Sequence, residues 1–302
     1  MSTAVSADAA AGYLRLRDGE PTWVAEPVAL IWVEGPDAVS FLHGLLSNDV
    51  ASLAPGGSAE ALLLDAKGHV QAAIGVHRDG EDAVTLVLDP ADGDAVAAAL
   101  DRYHFSEDLE ILGPEGAWAL TVSGIPAPAG PAVPGVLPGT SRVVVDDPAA
   151  AGAALPGGQA PPEALEMARV AAGVARVGVD TGPATLVQEA ALEERTVSFS
   201  KGCYLGQETV ARLQFRGRAN RALRGVLLDG PAAPGTPVTA GGREAGRVTS
   251  VARTPDLGVI GLAILRREVA PGDEVEAGGV TGRVAAPPFA PRGGGGAGAA
   301  GA

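Results

Sequence analysis

Between about Leu223 and Val284 the chain is cut into short apolar runs by turns at Pro234-Gly235, Gly241-Gly242, Pro271-Gly272 and Gly278-Gly279. That even spacing of glycine- and proline-rich breaks predicts a small antiparallel barrel or sandwich. The pattern upstream is different. Val28-Ala29-Leu30-Ile31-Trp32-Val33 reads as a buried strand that stops at Gly35-Pro36, followed by a helix with Pro36 in its first turn and a stripe of Phe41, Leu42, Leu45 and Leu46. Strands are predicted over Ala61–Asp65, Val70–His77 and Ala83–Leu88, broken at Lys67-Gly68 and Asp79-Gly80. A helix over Pro90–Tyr103 and two strands, near Leu109–Leu112 and Ala117–Val122, complete an α+β sheet region.

Residues 125–162 change character, with repeated proline, glycine and alanine, and are predicted to be partly irregular with one strand at Arg142–Val145. A short helix is predicted at Pro162–Ala171. The expected division is an α+β region over 13–222, in two intertwined subdomains, a β-barrel over 223–290, and a low-complexity tail over 291–302 that is disordered.

Composition narrows the classes of function. Apolar residues are 46% of the 302, ample for a core, while the net charge of −14 excludes a general nucleic-acid coat. The chain has no uninterrupted apolar stretch of about 20 residues, so no membrane span is expected. Residues 1–12 carry no basic segment leading into an apolar core, so no secretory signal is expected and the predicted location is cytoplasmic. A single cysteine, Cys203, excludes an intramolecular disulfide, a multi-cysteine zinc site, and an iron–sulfur cluster held by this chain's thiolates alone. The four histidines have no metal-like spacing, and no stably bound metal is predicted.

The most informative stretch is Val197–Arg224. Within Lys201–Arg224, six basic residues (Lys201, Arg212, Arg216, Arg218, Arg221, Arg224) face one acidic residue, Glu208, a local +5 on an acidic molecule. Such a segment focuses an anionic ligand locally. Cys203 lies between Gly202 and Gly206, two residues after Lys201 and just ahead of a predicted helix over Gln207–Gln214. A nearby lysine and a helix N-terminus lower a thiol's pKa, and the thiolate is both the nucleophile and the metal ligand. The glycines leave room for close approach. Set against this, an isolated cysteine is often a buried small hydrophobe and the glycines mere turns, and on the residues alone the two readings are even.

The run Lys201-Gly202-Cys203-Tyr204-Leu205-Gly206-Gln207-Glu208, followed by Val210-Ala211-Arg212, resembles the KGCYxGQE signature of the YgfZ family, relatives of the glycine-cleavage T-protein or aminomethyltransferase. The flanks agree: Gln188-Glu189 upstream, Phe215-Arg216-Gly217 and Arg221-Ala222-Leu223 downstream. So do Gly35-Pro36-Asp37-Ala38 through Phe41-Leu42, Asn48-Asp49-Val50, and the turn Asp65-Ala66-Lys67-Gly68. The resemblance runs from about Leu30 to Val284. It implies a T-protein-like multi-domain α+β fold around a central cavity with a C-terminal antiparallel β-barrel. It also implies tetrahydrofolate as ligand and a role in assembly or repair of [4Fe–4S] clusters, with a link to tRNA modification through radical enzymes that thiolate tRNA. Mitochondrial members act late in [4Fe–4S] assembly.

Carried onto this sequence, the resemblance makes Cys203 the functional thiol, with Lys201 beside it and Gly202, Tyr204, Gly206, Gln207, Glu208 and Arg212 as motif residues. Cys203 would be a transient cluster ligand, and Gln188, Glu189, Trp32, Arg216 and Arg221 would contact the ligand in the cavity. The implied partners are the iron–sulfur assembly machinery and its [4Fe–4S] client enzymes, with tRNA contacted weakly or indirectly through Arg216–Arg224. Two departures separate the chain from its relatives. The Asp-Asp pair of T-proteins, one of them catalytic, falls on Ala72 and Ala73, which cannot take a proton. The glutamate that anchors the pterin ring in R-[LI]-E-A-G falls on Ala171 of Arg169-Val170-Ala171-Ala172-Gly173, which leaves Glu166 or Glu189 as substitutes. An assembly factor is thus expected ahead of the alternative, a folate-dependent aminomethyltransferase-like enzyme.

Overall fold

The computed structural model describes residues 5–289. A helix, α1 (Ala7–Asp18), opens on the Ser6 side chain, which accepts from the Ala9 N–H, and closes on Gly19 in the left-handed conformation. Strand β1 (Thr22–Glu34) follows, then α2 (Ala38–Leu45), whose Ala38, Phe41, Leu42 and Leu45 are buried. β2 (Ser58–Leu64), β3 (Val70–Arg78) and β4 (Ala83–Leu88) form a meander. A 3-10 turn at Pro90–Asp92 leads into α3 (Gly93–Tyr103), and β5 (Glu110–Ser123) returns alongside β1.

The two strands predicted near Leu109–Leu112 and Ala117–Val122 are one. Gly113-Pro114 reads as a break in sequence, yet β1 shifts register opposite it, between Leu30, which pairs with Glu115, and Trp32, which pairs with Leu112. A bulge absorbs the residues that cannot continue a regular ladder. The stretch predicted as irregular carries more structure than its composition suggests: β6 (Ala132–Pro134), β7 (Ser141–Val145), α4 (Pro148–Ala153) and β8 (Gly158–Gln159). These short pieces are held by neighbours. β7 pairs with β5, β6 with β7, and β8 runs parallel to the start of β1. The sheet order is β2-β3-β4-β1-β5-β7-β6, with β8 on β1.

α5 (Pro162–Ala172) caps on Gly173 and buries seven of its eleven residues. After it come α6 (Glu193–Thr196) and α7 (Gln207–Arg216). The chain ends in β9 (Arg221–Leu228), β10 (Pro237–Ala240), β11 (Arg243–Thr254), β12 (Gly258–Arg266), β13 (Glu274–Ala277) and β14 (Val280–Ala285). These six strands close into an antiparallel barrel in the order β10-β11-β12-β9-β14-β13. Closure leaves no open sheet edge.

The continuous apolar run of β12 is explained by burial on both faces. Val259, Ala263 and Leu265 fill the barrel. Ile260, Leu262 and Ile264 point the other way, into the core formed by α1, α5 and the sheet. A buried polar knot reinforces that joint. Arg169 of α5 is 1% exposed and donates to Asp180, 2.7 Å away, and to the Ser250 hydroxyl of β11, at 2.7 Å. Ser250 in turn donates to Asp180 at 2.7 Å, and Glu166 and the Val174 carbonyl are the guanidinium's other partners. The predicted tail over 291–302 lies outside the described residues. Among those described, no helix is long and apolar enough to cross a membrane.

Candidate functional site

The loop Ser198–Gly206 carries the cysteine, and three separate contacts fix it. Its entry is held by a backbone hydrogen bond from Ser198 N–H to Ser47 C=O at 3.1 Å. Its middle is held by Lys201, whose Nζ donates to the carbonyls of His43, Leu46 (2.7 Å) and Asn48 (3.0 Å), the segment after α2. Its exit is held by glycine on glycine. Gly206, at φ +81°, caps α7 and lies against the Asp65–Gly68 turn, where a Cβ on it would meet the Asp65 carbonyl at 2.5 Å. Gly68, also at φ +81°, has no room for a Cβ either, because the Thr209 side chain stands 2.9 Å from where it would go. Both positions need a left-handed conformation and a missing side chain.

The separate sequence matches therefore meet at one place. The turn is rigid in its own right: Asp65 accepts from the N–H of Lys67 (2.8 Å) and of His69 (2.9 Å), and its other oxygen meets His69 Nδ1 at 2.8 Å. Burial works against the Asp65 charge, but these hydrogen bonds prevail and hold the carboxyl below its ordinary range.

On this mount Cys203 is exposed, with exposed Gly202 beside it. Tyr204 is buried, its ring 5.2 Å from Lys201 Nζ, and burial pushes its phenol up to about 12. Gln207 reaches back to the Gly202 carbonyl at 3.4 Å, while Glu208 and Arg212 are exposed. Lys201 departs from the expectation that it serves the thiol. All three of its ammonium donors go to carbonyls, and burial pulls it down to about 8, against the opposing charge of Asp49. Its work is to hold the loop, and the thiol has the open surface to itself.

The residues expected to contact a ligand together are not together. Gln188 donates to the Val210 carbonyl at 3.0 Å, and Glu189 accepts from the Leu186 N–H at 3.1 Å. Trp32 packs on β1 with Val28, Leu30 and Val87, and Arg216 and Arg221 are exposed. Glu166 is taken up by Arg169, and Ala171 is buried, its carbonyl accepting from Phe289 N–H at 2.9 Å. A different set lines a cavity of about 80 Å3 on the sheet: Glu60, Ala73, Asp89, Asp92, Arg142, Arg176 and Arg195 among its walls. Arg195 lies 3.1 Å from Glu60, whose carboxyl burial raises against the pull of Arg195 and Arg142. Sequence spacing could not collect residues as far apart as 60, 142 and 195. The available signal was a charge inside an apolar strand, which Glu60 in Ser58–Leu64 and Arg142 in Ser141–Val145 both display. Ala73, one of the two positions lacking the catalytic aspartate, faces this cavity, whereas Ala72 lies in the core beneath α2.

Comparison with known proteins gives the geometry a context. Residues 220–292 match the CAF17 C-terminal beta-barrel domain. The mitochondrial iron–sulfur cluster assembly factor IBA57 of Mus musculus is 41% identical over 83 residues, 25% of this chain and 22% of that protein. The tRNA-modifying protein YgfZ of Sodalis glossinidius is 29% identical over 227 residues, covering 66% of this chain and 68% of that one. The crystal structure of glycine cleavage system aminomethyltransferase T from Bartonella henselae superposes with a TM-score of 0.78 at 21% identity, over 93% of this chain and 89% of that one. At that identity the likeness is one of fold. The matched segments amount to 18% and 22% of the full length of two of the curated relatives.

Proposed function

We propose, from the premise that this chain belongs to the YgfZ family, that it presents Cys203 as a thiol for assembly or repair of [4Fe–4S] clusters in client enzymes. The observation that carries the reading is the mounting of that thiol. It stands exposed on a loop tied down at entry, middle and exit, and it is the chain's sole cysteine. A flexible surface cysteine would pay ordering entropy each time it engaged a metal, whereas a prepositioned one has met that cost in folding. As thiolate it fills one ligand position on the cluster, which is cargo here, and the remaining positions come from the client or from the assembly machinery. Radical enzymes that thiolate tRNA are the client class this reading favours. The tRNA itself is then a client's substrate, touched at most by the few exposed arginines of 212–221.

Tetrahydrofolate is the ligand this reading carries over from the family, and no step of the thiol's role is routed through it. The pterin-anchoring glutamate is replaced by buried Ala171; of the two acids that could stand in for it, Glu166 is held at both oxygens by Arg169, while Glu189 accepts from the Leu186 N–H at one oxygen and keeps the other for a ligand.

The deciding experiment deletes the gene and assays a [4Fe–4S] enzyme, such as a tRNA methylthiolating enzyme, with the wild-type protein or Cys203→Ala restored. Wild type is expected to restore activity and Cys203→Ala to fail. Equal rescue by both would remove the thiol from the function.

A second reading, a folate-dependent one-carbon (aminomethyl) transferase, has one observation in its favour. Glu60 puts a carboxylate into the cavity that Ala73 lines. Steady turnover of an aminomethyl donor with tetrahydrofolate, abolished in Glu60→Gln, is the result that selects it.

A further inference from the structure

The cysteine loop is attached to α7 at both of its ends. Gly206 caps the helix at its start, and the Phe199 ring packs edge-on against Phe215 in its last turn, with centroids 5.8 Å apart and planes at 75°. The thiol is therefore carried on a segment that bridges the two ends of a helix about 12 Å long from Gln207 to Phe215. Phe199 is partly buried against the core, whereas Phe215 is 68% exposed. At about 3.6 residues per turn, Phe215 shares a side of α7 with Glu208, Arg212 and Arg216, turned away from buried Val210.

Arg212, Arg216, Arg218 and Arg221 are exposed on this helix and just beyond it, against one exposed acid, Glu208. The arginine ion pairs among the described residues use Arg17, Arg169, Arg176, Arg195, Arg266 and Arg283, and none of these four. An exposed aromatic with arginines on its own side of a helix, in a chain of net charge −14, has the make-up of an interface anchor. Chemistry decides what approaches it. Cys203 fills one ligand position of a cluster and the sequence has no second cysteine, so a protein carrying further thiolates has to come up to this surface. Thiolates and the cluster they hold are net negative, and arginines beside Cys203 offset that charge as the two faces meet. A second copy of this chain would bring only one more thiolate, and four arginines offer a tRNA few phosphate contacts.

We infer that the outward side of α7 is the docking surface for the protein that shares the cluster with Cys203, with Phe215 as apolar anchor, the four arginines as its charged rim, and an acidic face on the partner. This surface rests on the reading of Cys203 as a cluster ligand and adds to it the chemistry of the partner.

The test uses the deletion strain and the tRNA methylthiolating enzyme as readout. Phe215→Ser and the double variant Arg212→Glu/Arg216→Glu are each expected to lower rescue at least fivefold, with an unchanged thermal melt and Cys203 still alkylated by iodoacetamide. Arg243→Glu/Arg247→Glu, the same charge change on exposed barrel arginines, is expected to rescue as wild type. In living cells, p-benzoyl-phenylalanine placed at position 215 is expected to crosslink to an acid-rich segment of one protein. That crosslink is lost in Arg212→Glu/Arg216→Glu and regained when two acids of the segment are changed to lysine. Failure of Cys203→Ala together with full rescue by both α7 variants overturns the docking surface and leaves the thiol's role standing. Full rescue by Cys203→Ala removes that role, and the docking surface with it. A crosslink to tRNA or to a second copy of this chain, or one indifferent to the charge reversals, overturns the docking surface as well.

Discussion

Arg169 and Lys201 show how much a single long cation can organise when it gives up solvent. Arg169 looks in sequence like any surface arginine in the last turn of a helix, yet it is the largest fully buried side chain and its partners come from Glu166, Asp180 and Ser250. Removing it strands Asp180, which is 2% exposed, as a buried charge with only hydroxyl and backbone donors left. Breaking such a pair costs about 3–5 kcal/mol, so Arg169→Ala is expected to lower the urea midpoint by that equivalent with the slope unchanged. Lys201 does for the cysteine loop what Arg169 does for the barrel joint. Its partners are three carbonyls, none of which reads as special in the sequence. The signature lysine was therefore legible as a motif member, while its task as a tether was not.

At the scale of elements, α5, well upstream of the cysteine loop, and α7, which leaves it, differ in how they are held. α5 buries seven residues, including Leu165, Met167 and Val170, between α1 and the barrel. α7 buries one, Val210, and is otherwise attached through Gln188 and the Gly206 contact. Local opening free energy follows buried apolar contact. Amides of Gln207–Arg216 are expected to exchange with deuterium well before those of Pro162–Ala172, as read by mass spectrometry. Equal protection would mean that α7 is covered in solution by something else. Strand and helix periodicity located most of these elements, because runs such as Val259–Leu265 and stripes such as Phe41, Leu42 and Leu45 are local patterns. It failed where tertiary pairing overrides composition: at Gly113-Pro114, carried through a bulge, and in 132–159, where neighbouring strands order segments of weak propensity.

For the whole molecule the balance of titrating groups sets a stability optimum on the acid side of neutral. In Asp65, Asp89 and Asp256, burial raises the proton affinity, but hydrogen bonds and nearby cations outweigh it and leave the carboxyls below their ordinary value. Groups lowered in the folded state stabilise it above their unfolded pKa of about 3.9 and lose that contribution as pH falls through the folded values. Glu60, Asp92 and Glu193 are raised, first by burial, so the folded chain holds their protons longer and their contribution declines as pH climbs past about 4. The net charge of −14 adds self-repulsion in the same direction. His43, lowered by burial and by Lys201, pulls the other way, and so does Lys201, lowered by burial to about 8, from about that pH upward. Calorimetry is expected to give a higher Tm at pH 5.5 than at pH 8 and a sharp fall below about pH 4; a Tm rising steadily from pH 5 to 8 would contradict this balance.

The pairing of β1 with β5 has a consequence of another kind. It runs from Thr22–Ser123 at one end to Glu34–Glu110 at the other, so both flanks of the sheet are grafted onto one pair of strands. Neither flank owns a spine of its own. Recombination that trades one flank for a homologue's must cut through that shared ladder and mismatch a bulge register set by both strands. Exchanging the six-stranded barrel, which is closed on itself, leaves the ladder whole and has to match the joint at Arg169, the Arg17–Asp256 ion pair with α1, and the outward faces of β9, β11 and β12. A lineage built on this plan can swap its C-terminal module far more readily than it can reshuffle the sheet that carries the turn beneath the cysteine.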